Sequence, residues 1–129
     1  MLTRALLFFA LMMTPAALLN AQTQMSAITS GPTTRVLAIG KMTAGTTPEK
    51  LRPVMPSEVR ETVKLYLAGK LDQWFVRRDQ RGVVFLMNVS TVQEAHDLLE
   101  KLPLGVQKLM EFDLIPLGPL TPLNFLLQE

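Results

Sequence analysis

The sequence predicts an α+β domain, an antiparallel sheet of four strands with two helices on one of its faces. Three observations lead there. Four apolar runs have the length of strands, and two amphipathic stretches with capping residues lie among them. Their order along the chain is β-α-β-β-α-β, the ferredoxin-like arrangement.

The N-terminus comes first and stands apart from the fold. Arg4 precedes an apolar run from Ala5 to about Leu19, and small and polar residues follow, with Ala21 before the expected cut. That is the order of a secretory signal peptide over 1–21. Thr14-Pro15 interrupts the run, which is shorter than the ~20 residues of a membrane-spanning helix. The expected location is therefore periplasmic or secreted, with an uncleaved N-terminal anchor as the alternative. Residues 22–34 are small and polar and read as a flexible lead-in. The remainder suffices for one small domain, 35–117, followed by an apolar, proline-rich tail, 118–129. Without Arg4 the formal charge falls from +2 to +1, which implies no strong field for nucleic acid or anionic lipid. The chain has no Cys, which excludes disulfides and thiol chemistry.

RVLAIGKM, 35–42, is apolar and partly β-branched, and the turn signal AGTTP follows it. It is the first strand. Thr47-Pro48 reads as an N-cap with proline at the first helical position. Pro53 and Pro56 break anything longer, so PEKL is one isolated turn. The main helix opens near Ser57 and runs EVRETVKLYLA. Its Val59, Val63, Tyr66 and Leu67 fall on one face and are expected to meet the sheet. Gly69 occupies the place of a left-handed C-terminal cap.

LDQWFVRR, 71–78, and GVVFLMNV, 82–89, are the second and third strands, joined by a short polar hairpin. Strict alternation puts Asp72, Trp74, Val76 and Arg78 on one face, and Leu71, Gln73, Phe75 and Arg77 on the other. The third strand is apolar on both faces, with Val83, Phe85 and Met87 opposite Val84 and Leu86. A sheet with one wet face would alternate. Helices cover one side, and a second copy of the chain is the expected cover of the other, as a homodimer. Ser90-Thr91-Val92-Gln93-Glu94 offers two overlapping capping boxes for the second helix, whose apolar stripe is Val92, Ala95, Leu98, Leu99 and Leu102. Leu102-Pro103 ends it, and LMEFDLIPL, 109–117, is the last strand. The tail's leucines and Phe125 need somewhere to pack, either on a neighbouring subunit or back on their own domain.

The stretch from Gly69 to Leu104 resembles the muconolactone delta-isomerase family of the dimeric α/β-barrel superfamily. The matching features are Gly69 closing the first helix, Trp74 in the second strand, a Ser-led second helix, and AHDLLEKLPL at 95–104. The resemblance implies a ferredoxin-like fold paired through its sheets, and a reaction that moves a double bond in a small unsaturated lactone by proton transfer. It implies neither metal nor cofactor.

The candidate site residues follow from chemistry. His96, the only histidine, is of a residue type suited to proton transfer, but its helical phase puts it at the edge of the apolar stripe. Glu58 and Glu61 are bases if they tip toward the sheet. Trp74 with Arg78 would form an apolar wall with one cation for a carboxylate or oxyanion, and Tyr66 would add a hydroxyl. One His without Cys leaves only oxygen donors for a metal, and none are spaced as a site. Two functional readings result. One is a small-molecule isomerase using acid/base chemistry. The other is a non-catalytic ligand-binding or assembly module of the same fold.

Overall fold

The computed structural model describes residues 31–128. The expected leader and the lead-in up to residue 30 lie outside the described residues. The order is β1 (Arg35–Met42), α1 (Pro48–Leu51), α2 (Met55–Leu67), β2 (Leu71–Val76), β3 (Val83–Met87), α3 (Val92–Glu100), α4 (Pro103–Val106) and β4 (Met110–Leu117). A short 3-10 helix, Thr121–Leu127, follows. The sheet is open and antiparallel with strand order β2-β3-β1-β4. This is an α+β fold consistent with the ferredoxin-like arrangement. Among the described residues no helix is long and apolar enough to cross a membrane.

Local chemistry explains the joints. Thr47 caps α1, its hydroxyl accepting from Lys50 N at 3.4 Å. The main helix begins at Met55 rather than near Ser57, because Pro56 is tolerated in a first turn where backbone N–H groups have no partner. Ser57 Oγ therefore donates back to Val54 O instead of capping. At the other end Gly69 takes φ +74, with Gly69 N donating to Tyr66 O and Lys70 N to Leu65 O. That pair of bonds is the Schellman closure the glycine position predicts. Thr91 caps α3 by accepting from Glu94 N at 3.1 Å. Glu94 does not complete the box but reaches Lys70 Nζ at 2.8 Å. Leu102-Pro103 ends α3 and starts α4 as a separate turn.

The strands are shorter than expected at the hairpin, since β2 stops at Val76 and β3 starts at Val83. The register also departs from strict alternation. Leu71 pairs with Met87 and Trp74 with Phe85, so the chain slips by one residue between Leu71 and Gln73. This bulge brings Leu71 onto the same face as Trp74, where it is buried.

The core lies between that face and the helices. Val36 and Ala38 of β1, Phe85 and Met87 of β3, and Ala95 and Leu99 of α3 are buried together, with Leu65 of α2 against them. A second cluster of Val54, Leu104 and Met110 closes the end near α1 and α4. The stripe on α3 is buried as expected at Ala95, Leu99 and Leu102, whereas Val92 is exposed.

The opposite sheet face has no cover among the described residues. Its rows are Gln73–Leu86–Leu37–Ile115 and Phe75–Val84–Ile39–Asp113. Phe75 and Ile115 are exposed, and Leu37, Ile39, Val84 and Leu86 are half-buried. Ion pairs mark its two ends, Arg35 with Asp72 and Lys41 with Glu111 and Asp113. The tail leaves Leu120, Leu123, Phe125, Leu126 and Leu127 exposed rather than buried against their own domain.

Candidate functional site

Helix α2 packs on the core through Leu65 but leaves most of its apolar residues open. Its predicted apolar stripe is not buried, for Val59, Val63, Tyr66 and Leu67 are all exposed, Leu67 at 77%. The one buried residue of the helix is Glu58, 6% exposed. The stripe thus faces the sheet, as Tyr66 on Trp74 shows, but does not pack closely against it. Among the described residues a cavity of about 600 Å³ lies between α2 and strands β2 and β3. Val59 and Val63 form its helix wall, and Trp74, Val76, Val83 and Phe85 its sheet floor. Met42, Met110 and Leu104 close the inner end. The volume falls in the ~300–1,000 Å³ range of small-molecule sites.

Polar groups are few in this wall. Glu58 and Thr62, one helical turn apart, present theirs from α2. Glu58 Oε2 accepts a hydrogen bond from Leu104 N at 2.8 Å. The bond has a local reason. Leu104 follows Pro103, which has no N–H, and its amide is among the first of α4 without a helical partner. Leu102, at the N-cap, has no side chain able to supply an acceptor. Glu58 thus caps a turn 46 residues away. Burial pushes the Glu58 carboxyl above its ordinary value, and the Leu104 N–H pulls it part of the way back. The Thr62 hydroxyl makes no hydrogen bond to a described residue, which leaves it to the cavity.

The sequence-predicted residues separate here. Trp74 lines the cavity, 39% exposed. Tyr66 does not line it but leans on Trp74, ring centroids 4.5 Å apart and planes tilted by 51°. Glu61 faces out and pairs with Lys64 Nζ at 2.7 Å. His96 is exposed on α3 with Asp97 as its neighbour, Nδ1 to Oδ1 at 3.6 Å, and it is not in the cavity wall. Arg78 is exposed and also absent from the wall. The cation at the rim is Arg81, which the sequence reading did not select. The reason is the short β2. With the strand ending at Val76, Arg78 no longer continues the Trp74 face, and the hairpin turns Arg81 and Gly82 toward the cavity instead. Among the described residues no group of three or more His, Cys, Asp or Glu is placed to hold a metal ion.

The arrangement can hold a small apolar molecule and offer one carboxyl group to it. No protein-family model matches the chain, and no curated protein matches it.

Proposed function

We propose that the chain binds a small unsaturated or lactone-like molecule in the α2–sheet cavity and isomerises it with the Glu58 carboxyl as the proton-transfer group. One observation carries this reading: a carboxyl sits buried in an otherwise apolar wall, with its affinity for the proton raised by that burial. Such a group is poised nearer to neutral pH than an exposed carboxylate, which suits a general base. The reaction is balanced without a co-reactant. Glu58 takes a proton from the carbon between a carbonyl and a double bond. The electron pair moves into a dienolate. The proton returns at the far end, so that the double bond shifts and the formula is unchanged. The Leu104 N–H holds one Glu58 oxygen, leaving the other for this exchange. Trp74 and the valines give the ring of the bound molecule an apolar surface to lie on.

The proposal includes the setting. The chain is an exported relative of the muconolactone isomerase type, and two copies pair through the open sheet face in the manner of a dimeric α/β barrel. An apolar centre with charged ends is the anatomy of an interface. The non-catalytic reading is favoured by a different observation: among the cavity-lining residues no second carboxyl, His or Lys accompanies Glu58.

The test follows α-angelica lactone, a β,γ-unsaturated lactone, by ultraviolet absorption of its conjugated isomer and by deuterium uptake from heavy water. Catalysis by the full chain, lost in Glu58→Gln and retained in His96→Gln, is the expected outcome. Ligand binding without turnover would leave the non-catalytic reading. Activity that survives Glu58→Gln would remove Glu58 from the mechanism.

A further inference from the structure

Of the residues lining the cavity, two are ionisable, one buried and one exposed. Glu58 is enclosed, while Arg81 is exposed at the rim on the β2–β3 hairpin. The wall between them is apolar, made chiefly by Trp74, Val76, Val83 and Phe85. The neighbouring cations of the hairpin are otherwise placed. Arg77 is held by Asp79, Nε to Oδ1 at 2.9 Å and Nη2 to Oδ2 at 2.5 Å. Arg78 lies off the cavity. Arg81 makes no hydrogen bond or ion pair with a described residue, although Glu49 on α1 is close enough to feel its charge. A guanidinium left with donors to spare at the mouth of an apolar pocket complements a planar anion. An amine would meet like charge there, and a second anionic group deep inside would lie beside Glu58.

We infer that Arg81 selects the ligand by its charge, and that the cavity takes an amphipathic monoanion, an unsaturated carboxylic acid with its chain against Trp74 and Phe85 and its carboxylate on the Arg81 guanidinium. The inference rests on the binding reading of the cavity and adds the ligand class and the residue that reads it. An ion pair at an exposed rim is worth up to ~1 kcal/mol, so the preference for acid over isosteric alcohol is about fivefold at low salt, and added salt screens it.

The experiment compares three probes of one chain length, trans-2-octenoate, trans-2-octenol and octylamine. Each is titrated into the full chain at low ionic strength, with tryptophan fluorescence and thermal shift as readouts. Arg81→Gln and Arg78→Gln are measured beside the wild type. Arg81 has no hydrogen bond to a described residue to lose and only a weak, exposed attraction to Glu49, so the melting temperature of the free Arg81→Gln variant should stay within about 2 °C of the wild type. Octenoate should bind best, Arg81→Gln should abolish its advantage over octenol while leaving octenol unchanged, and Arg78→Gln should alter neither. Equal affinities for acid and alcohol, or an acid preference that survives Arg81→Gln, would overturn the role of Arg81 and leave the cavity reading intact. Failure of all three probes to bind would overturn both.

Discussion

Glu58→Gln isolates the effect of placing a carboxyl in the apolar wall. Glutamine has nearly the same shape and keeps an oxygen acceptor for Leu104 N–H, so the hydrogen bond at 2.8 Å can persist while the titration disappears. Burial raises the folded-state value of Glu58 above its ordinary 4.5. In the window between those two values the folded state binds the proton more tightly than the unfolded chain. Wild-type stability from this group is fully present below 4.5 and is lost as pH rises through the folded value. The difference in unfolding free energy, wild type minus Glu58→Gln, should therefore fall with pH in that window, with a limiting slope of about 1.4 kcal/mol per pH unit for one proton. For a domain of this size that is roughly 5–10 °C in Tm per pH unit at most. Asp79, Glu49 and Glu100 behave oppositely. Arg77 holds Asp79 below its ordinary value, a backbone hydrogen bond does so for Glu49, and Lys108 for Glu100, so their stabilisation fades as pH falls. They are common to both proteins and cancel in the difference. Urea unfolding of both proteins at half-unit steps from pH 4 to 8 provides the curve. Parallel profiles above pH 4.5, or a wild type that gains on the variant with rising pH, would refute the burial argument.

Other substitutions read separate parts of the structure. Trp74→Ala removes the cavity floor and the Tyr66 ring contact, and should cost about 1–3 kcal/mol in chemical denaturation while weakening any cavity ligand at least tenfold. Gly82→Ala should be the more damaging, because its Cβ would stand 2.1 Å from Gly40 O. A loss above ~3 kcal/mol, or failure to accumulate as folded protein, is expected, and a melting temperature within a few degrees of wild type would contradict it. Leu86→Lys places a charge in the open sheet face without touching the core, so sedimentation should show dimer turning to monomer while circular dichroism stays unchanged. A wild type that already sediments as a monomer would contradict the paired-sheet proposal.

Much of the fold can be read from the residues because its determinants are local. Thr47, Thr91 and Gly69 mark helix ends by chemistry within a few residues, and each does so in the structure. The two apolar faces of β3 are likewise written in Val83 to Met87. The cavity is less legible. Its existence depends on how far α2 stands from the sheet and how it is rolled, and the stripe of Val59 and Val63 reads the same whether it is packed or merely lines a void. Glu58 had a usable signal: Val54, Glu58 and Leu65 fall at i, i+4 and i+11, an inward stripe carrying a carboxylate at its middle. Glu61, three residues on, points elsewhere and meets Lys64. Arg78 lies off the cavity wall and Arg81 in it because one shorter strand changes which hairpin residue reaches the mouth, and nothing in the dipeptide Arg77-Arg78 announces where a strand stops. The Leu71 bulge is similar, since its extra residue is visible only through the partner strand's register.

A small unsaturated acid is expected to enter the α2–sheet cavity beside Glu58 and Trp74. Amide NMR of the uniformly labelled full chain, titrated with trans-2-octenoate, tests it most directly. Saturable shifts are expected at Leu104, whose N–H donates to Glu58, together with Gly82, Val63 and the Trp74 indole. Shifts gathered instead at Leu37, Val84 and Leu86 on the open sheet face, or none at millimolar acid, would contradict it.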